Sequence, residues 1–482
     1  MAVDNLHPEY TRWHDEWSKC RDVYDGQRAV KSKGEKYLPS LSEQTSSEYE
    51  AYKQRALFYS ITSKSVGAMV GMAMSKRPIL KYPPEMSSYF EDASGTQFYE
   101  LTAVSLSENV LMGRYGVLVD RQIDGGLPQM HGYRAEAITN WRITVDGLPS
   151  LVVLTENVYD SNDVDIFDHA TRLQYRVLRL THKSEVPTNL IPILGSYEPD
   201  PFLYDPLTEM IYTVSVYDDK KQHIETRVPL NMGKPMSVIP FYVVNPFGLN
   251  FNTLKPPMLD IVDVNISHYC TSADLEHGRH FTGLPTAVVS GVDASTKLKI
   301  GSMTAWVLPD KDAKAQYLEF TGQGLQSLEK AMKEKEAQLA SLSASVLDNS
   351  HNGSEAPDTV RLRYMADTAS LASIVRGTEA LLNTAYKMAA SMNGIDPALV
   401  HLQLNKEFLE SKMSASELIK LTESYLTGGM SVESYVYNLR RGDQLPVTRT
   451  DDEEISALNK LKADKLAAAQ AAKPVIQPQN QN

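Results

Sequence analysis

Cysteine is scarce in this chain: Cys20 and Cys270 are the only two among 482 residues. Two thiols so far apart build no disulfide framework, and a reducing compartment is the expectation. Long apolar runs are missing too. The most suspicious one, VGAMVGMAM from Val66 to Met74, has nine residues between Lys64 and Lys76-Arg77, whereas a helix needs roughly 20 to cross a bilayer. Gly67 and Gly71 form a GxxxG there, which outside a membrane span predicts a close helix crossing. The opening MAVDNLHPEY has neither the basic start nor the apolar stretch of a signal peptide. No membrane partner is expected.

Positive charge is in deficit: 48 Lys and Arg stand against 60 Asp and Glu, a net charge of −12. Tight nucleic-acid binders neutralise phosphates with clustered Lys and Arg, and no basic block of that kind is present, so any contact with DNA is expected to be weak. The short motifs of catalysis are absent as well. GAMVGMAMSK is only a loose likeness of a phosphate loop, GQGLQS at 322–327 lacks the third glycine of a dinucleotide loop, and no GxSxG elbow occurs. Neither a cofactor nor an enzymatic activity is expected.

What the chain does contain is ordinary globular material, 42% hydrophobic and 22% charged, long enough for about three domains of 150 residues. Tyr10, Trp13, Trp17, Cys20 and Tyr24 recur at steps of three and four, one face of a helix that Gly26 interrupts. Ser47 and Glu50 have capping-box spacing, and an apolar stripe from Tyr49 to Ala73 predicts one long helix ended by Pro78. A third helix spans about 96–112 and stops at Gly113. From Tyr115 to about Asn245 the period falls to two, and YGVLVD, NWRITV, SLVVLTENV, LQYRVLRLT, MIYTVSVYD and IPFYVV read as strands. Gly125-Gly126 and Asp146-Gly147 are the hairpin turns. Consecutive strands with short turns predict an antiparallel sheet and an α+β class.

The helical period then returns. Residues 256–283 form a helix of roughly 40 Å. TAVVSG, AWVLP and AQYLEF are short strands, and a second long helix with heptad spacing runs from Leu325 to about Val346. DNSHNGSEAPD is a loop of turn-formers, and a helix from about Thr359 to Asn393 follows, with a kink expected at Gly377. LVHLQL is a short strand, and short helices lead to a Gln/Asn/Pro tail expected to be disordered.

The stretch DLEHGRH, Asp274 to His280, looks at first like a metal site, with His268 and Cys270 just before it. On a helix only Glu276 or His277 with His280 could converge on one ion, and the HExxH order is absent. The alternative of a metal-dependent hydrolase using the His277/His280 helix therefore ranks below another reading. Asp260, Asp263, Ser267 and Asp274 share a face beside the apolar stripe, giving the helix one packing side and one acidic, solvated side. The order of elements says more than any motif: a helix out, a small β excursion, a helix back, then a polar loop and a longer helix. Such a projection leaves apolar stripes that need neighbours, and a closed ring of copies supplies them.

The segments YEAYKQRALFYSITSKSVGAMVGMAMSKRP, PPMLDIVDVNISHYCTSADLEHGRHFTGLPTAVV, YLEFTGQGLQSLEKAMKEKEAQLASLSASVL and TVRLRYMADTASLASIV, spread from residue 49 to about 393, resemble the portal proteins of tailed bacteriophages. The resemblance implies a head–tail connector ring, typically a dodecamer, at one capsid vertex of the virion, through which double-stranded DNA is packaged and later ejected. It implies a wing over 1–255, stem helices at 256–283 and 325–347, a clip over 284–324 and a tunnel loop at 348–358. A long wing helix at 359–394, wing and crown over 395–450, and a crown helix with a tail over 451–482 would complete it. Implied partners are the packaging terminase, head–tail adaptor or tail proteins, and major capsid and scaffold proteins, in a particle assembled in a bacterial cytoplasm. The clip here is short and the segment after Thr450 too brief for the long barrel some portals carry.

On that reading Asp260, Asp263 and Asp274 face the channel or a subunit seam, and Asn349, Ser350, His351 and Asn352 touch passing DNA without fixed positive charge. Lys297, Lys299, Asp310, Lys311, Asp312 and Lys314 make a mixed-charge docking face on the clip. An acidic, hydrated lining repels phosphate, and repulsion lubricates a sliding duplex. Twelve copies would carry −144 in total, much of it on outer surfaces and screened beyond about 8–10 Å. Another structural virion protein, such as a tail or shell component, is the remaining alternative.

Overall fold

The computed structural model describes residues 3–91, 96–121, 127–159, 169–187, 190, 209–282, 286–290, 314–318, 323–347, 357–406, 408, 413, 415–442, 444–446 and 449–471. It is 53% helical and 21% strand, and each strand pair described is antiparallel. The class is α+β, as the two periods in the sequence predict. The chain falls into two units, Met1–Lys406 and Glu407–Asn482.

The larger unit opens with helices α1 (Pro8–Asp25), α2 (Gln27–Ser32), α3 (Ser46–Arg55), α4 (Ile61–Ala73), α5 (Ser87–Phe90) and α6 (Thr96–Met112). Local chemistry sets their ends. Pro8 opens α1, the Glu9 amide donates to His7 Nδ1 as the cap, and Gly26, at φ +88°, closes the helix. Gly113 ends α6 at φ +65°, where an added Cβ would also press on Pro246 and Pro257 at 3.0–3.3 Å. The capping box of α3 is built by Thr45 with Glu48, not by Ser47 with Glu50.

The single helix expected from Tyr49 to Ala73 is two helices. Between them the Leu57 amide donates to Ser272 Oγ and the Phe58 amide to Gln27 Oε1, both at 3.2 Å. Asn265 Nδ2 donates to the Tyr59 carbonyl at 2.8 Å. Backbone groups that a helix would pair internally are taken by distant side chains, and Phe58 turns edge-on to Tyr269 at 5.8 Å. The crossing expected at Gly67 and Gly71 is not made among the described residues, since nothing lies within 4 Å of a Cβ at either.

Strands β1 (Ile79–Lys81), β2 (Tyr115–Asp120), β3 (Gln129–Arg134), β4 (Ile138–Ile143), β5 (Pro149–Tyr159), β6 (Thr171–His182), β7 (Met210–Tyr217) and β8 (His223–Arg227) follow, then β9 (Leu230–Asn231), β10 (Lys234–Pro235), β11 (Phe241–Asn245) and β12 (Gly248–Leu249). Nine of them form a five-stranded sheet in the order β4-β5-β6-β7-β8 and a four-stranded sheet in the order β12-β11-β2-β3, while β9 and β10 pair with each other. The turn at Asp146-Gly147 joins β4 to β5 as predicted, with Gly147 at φ +81°, whereas Gly125-Gly126 lies outside the described residues. Charge ties the sheets together: buried Asp120 at the end of β2 is bound by Arg227 of β8 and lies 3.6 Å from Arg176 of β6. A second buried knot holds α1 to α6, where Arg21 grips Glu108 through both oxygens at 2.6 and 2.8 Å and also reaches Glu136 at 2.9 Å.

Next come α7 (Leu259–Thr282), β13 (Thr286–Ser290), β14 (Lys314–Leu318), α8 (Gln323–Leu347), α9 (Pro357–Met392) and β15 (His401–Gln403). β13 pairs with β14, and β15 returns to pair with β1. Gly377 serves close approach within an unbroken helix: a Cβ there would lie 2.9 Å from the Asn245 carbonyl and 3.2 Å from the Gly248 amide nitrogen. The smaller unit holds α10 (Ala415–Leu426), α11 (Val432–Arg441) and α12 (Asp451–Ala471). Within it Tyr425 stacks on Tyr435 at 4.3 Å, and Arg440 joins Asp451 at 2.7 Å.

Candidate functional site

The acidic line singled out in the sequence lies on α7, which pairs with α8. At 24 and 25 residues they are about 36 and 38 Å long. They run antiparallel: Arg279 reaches Glu329 at 2.8 Å at one end, and Lys335 binds Thr271 Oγ1 and the Ser267 carbonyl farther along. Gly278 permits the approach, because a Cβ there would fall 2.5 Å from Leu325 Cδ2. The chain between these helices carries the β13–β14 ladder.

Helix α7 has the two sides its pattern predicts. Leu259, Val262, Tyr269 and Ala273 are buried, together with Asn265 and His268. Asp260, Asp263, Ser267 and Asp274 make an exposed line. The line is not bare, however. Asp260 holds Lys255 at 2.6 Å, Asp263 holds Lys19 of α1 at 2.6 Å, and Asp274 accepts the Tyr52 hydroxyl of α3 at 2.6 Å. Side chains of Asp260 and Asp263 stay 63% and 53% exposed, so both carboxylates keep most of their contact with water. Sequence reasoning missed Lys19 and Tyr52 because they lie more than 200 residues away along the chain, where no spacing rule reaches.

Helix α8 is less covered. Leu339 is buried, Leu325, Leu328 and Met332 are half-buried, and Leu342 is 39% exposed. Its heptad stripe meets α7, with α4 and α9 also alongside the helix, and is covered only in part. Of the docking-face residues, Lys314 is described: it opens β14, is exposed and pairs in register with Ser290. Lys297, Lys299, Asp310, Lys311 and Asp312 lie outside the described residues, as do Asn349, Ser350, His351 and Asn352.

The histidines of α7 are held by packing. The His277 ring stands edge-on to Tyr52 at 5.3 Å and to Phe281 at 4.7 Å, and its Nδ1 is 3.3 Å from the Arg55 guanidinium. Burial, then the Arg55 charge, pushes its pKa below the usual histidine value. A guanidinium at that nitrogen is a poor neighbour for a metal cation, and among the described residues no three His, Cys, Asp or Glu converge as a ligand set. His268 is likewise depressed by burial, although Glu336 stands 3.5 Å away. Burial also raises the Tyr52 hydroxyl, and its bond to Asp274 raises it further, so this donor stays protonated across physiological pH. No helix among the described residues is long and apolar enough to cross a membrane.

Comparison with known proteins adds three findings. A family model described as "Domain of unknown function (DUF4055)" matches residues 257–392, the block from α7 through α9. No curated protein matches the chain. Solved structures with a distant likeness include "Virion of native gene transfer agent (GTA) particle", 10% identical over 84% of this chain and 94% of the other at a TM-score of 0.39. Another is "Neck of empty GTA particle computed with C6 symmetry", 9% identical over 77% and 86% at 0.39. A third is "Neck of native GTA particle computed with C12 symmetry", 10% identical over 79% and 89% at 0.35.

Proposed function

We propose that this chain is the subunit of a portal-type ring, a structural protein of a phage-like particle that performs no reaction and lets a DNA duplex pass. The observation that carries this reading is the α7–α8 hairpin, a pair about 36 Å long with a solvated carboxylate line on one helix and an incompletely covered apolar stripe on the other. Water is a poor cover for half-buried leucines, and burial of one aliphatic side chain is worth about 1.5–3 kcal/mol. Neighbouring copies arranged around an axis cover such stripes repeatedly and leave the carboxylates facing the hole.

In this reading α7 and α8 are the stem, and the β13–β14 ladder with the chain around it, including Lys314, is the clip that meets a packaging motor and later a neck or tail protein. Residues 349–352 belong to the tunnel loop. The two sheets with α1 to α6 and α9 belong to the wing, residues 395–450 to wing and crown, and residues 451–482 to the crown helix and tail. Negative-stain images of the purified full-length chain test the reading: annular top views with a central hole are expected. A monomer that persists at high protein concentration refutes it.

A further inference from the structure

The β4–β5 hairpin ends in a tip that no folding argument requires. Three aliphatic residues crowd its last turn: Ile143 is 38% exposed, Leu148 is 57% exposed and Val145 is entirely in solvent. Single apolar residues on a surface are ordinary, but three within six residues on one projecting turn are not scatter. The turn is also stiff. The Thr144 amide donates to the Leu148 carbonyl at 2.8 Å, the Gly147 amide to the Thr144 carbonyl at 3.0 Å, and the Leu148 amide to Thr144 Oγ1 at 3.2 Å. Such a tip loses little freedom on binding.

Elsewhere in the same unit an open groove of about 530 Å³ lies among α5, α6, the start of β3 and α9. Leu101, Val104, Leu127, Pro128, Met130 and Tyr386 supply its apolar surface. Val104 and Leu127 are 37% and 55% exposed. That volume is in the range that encloses a compact organic ligand, enough for a turn bearing three aliphatic side chains. Charge agrees with shape: Arg142 is exposed at the base of the tip, and Glu100 is exposed at the rim of the groove.

We propose that the tip at Ile143, Val145 and Leu148 of one copy seats in this groove of the next copy. The proposal rests on the ring reading and deepens it. A knob and a hole on different parts of one chain make a head-to-tail contact, the kind that closes a ring when the rotation between copies divides a full turn.

The test uses the full chain, the single variants V145C and V104C and the double variant V145C/V104C, at sites exposed enough to leave the fold intact. Each is incubated under mild oxidation alone and in an equal mixture, with the unaltered chain as the control for Cys20 and Cys270. The expected result is a disulfide-linked dimer in the mixture, at least several-fold above either variant alone, and a ladder of higher species in the double variant. In parallel, V145D/L148D is expected to keep its circular dichroism and to weaken self-association by about 10- to 100-fold. Annular particles that form without the link overturn the tip-and-groove contact and leave the ring reading standing. Absence of any assembly by the unaltered chain overturns both.

Discussion

Replacing Asp260 and Asp263 together by lysine tests the proposed channel face directly. Each of the two carboxylates holds one lysine at 2.6 Å and remains more than half exposed. Exposed pairs of this kind contribute about 0.2–1 kcal/mol each, so the variant should fold, and Lys19 can swing away from its new like-charged neighbour. Asp274 is left in place because it anchors Tyr52 of α3. The substitutions change the charge by +4 per copy, or +48 around a twelve-membered ring. If about four of the new lysines reach phosphate at any one time, log Kobs for duplex binding should acquire a slope of about −3.6 against log salt. The assay is binding of a labelled duplex to the assembled ring across 50–200 mM salt, with DNA packaging measured alongside. The unaltered ring should bind weakly with a shallow slope, whereas the variant should grip and stall. A variant that shows neither added affinity nor slower packaging refutes the lubricating role of this face.

Gly377→Ala should destabilise the larger unit by up to about 2 kcal/mol, because an overpacking cost of about 1–3 kcal/mol exceeds the roughly 1 kcal/mol that helix propensity returns. A higher denaturation midpoint for this variant would refute the close-approach role. Glu108→Ala should cost about 1.5–3 kcal/mol, since Arg21 would lose one charged partner while Glu136 still holds it at 2.9 Å; urea unfolding that moves by less than about 1 kcal/mol would count against it. His7, His131, His268 and His277 are each held below the ordinary histidine pKa, with burial the largest cause. Depressed basic groups give stability that is complete above about pH 6.5 and lost as the pH falls, because the unfolded chain takes up protons first. The thermal midpoint should therefore drop between pH 7 and pH 5, and a flat or rising midpoint would contradict the burial of these rings.

Much of the fold was legible wherever a strong local signal coincided with the tertiary outcome. Gly113 and Gly147 marked a helix end and a hairpin turn, and the apolar periods of α7, α8 and α9 set their bounds to within about three residues. Illegible features were those fixed by partners far along the chain. The break between α3 and α4 exists because Gln27, Asn265 and Ser272 claim groups there, and nothing in the apolar stripe records that. β3, QMHGYR, escaped notice because its buried positions do not alternate with exposed ones, and the β4-to-β5 strands announced themselves more plainly. On the candidate face, exposure of the aspartates followed from helical spacing alone. Their lysine and tyrosine partners did not, since Lys19 and Asp263 are 244 residues apart.

The opposed directions of α7 and α8 carry one more implication. Aligned peptide groups make each helix a dipole, with about half a positive charge at its first turn and half a negative charge at its last. Side by side and reversed, the two fields largely cancel along their common axis. A passage lined by such pairs would present a travelling polyanion with no backbone slope to climb or descend, so inward and outward travel would be equally easy, and any one-way behaviour would have to be imposed by an attached engine or by a valve.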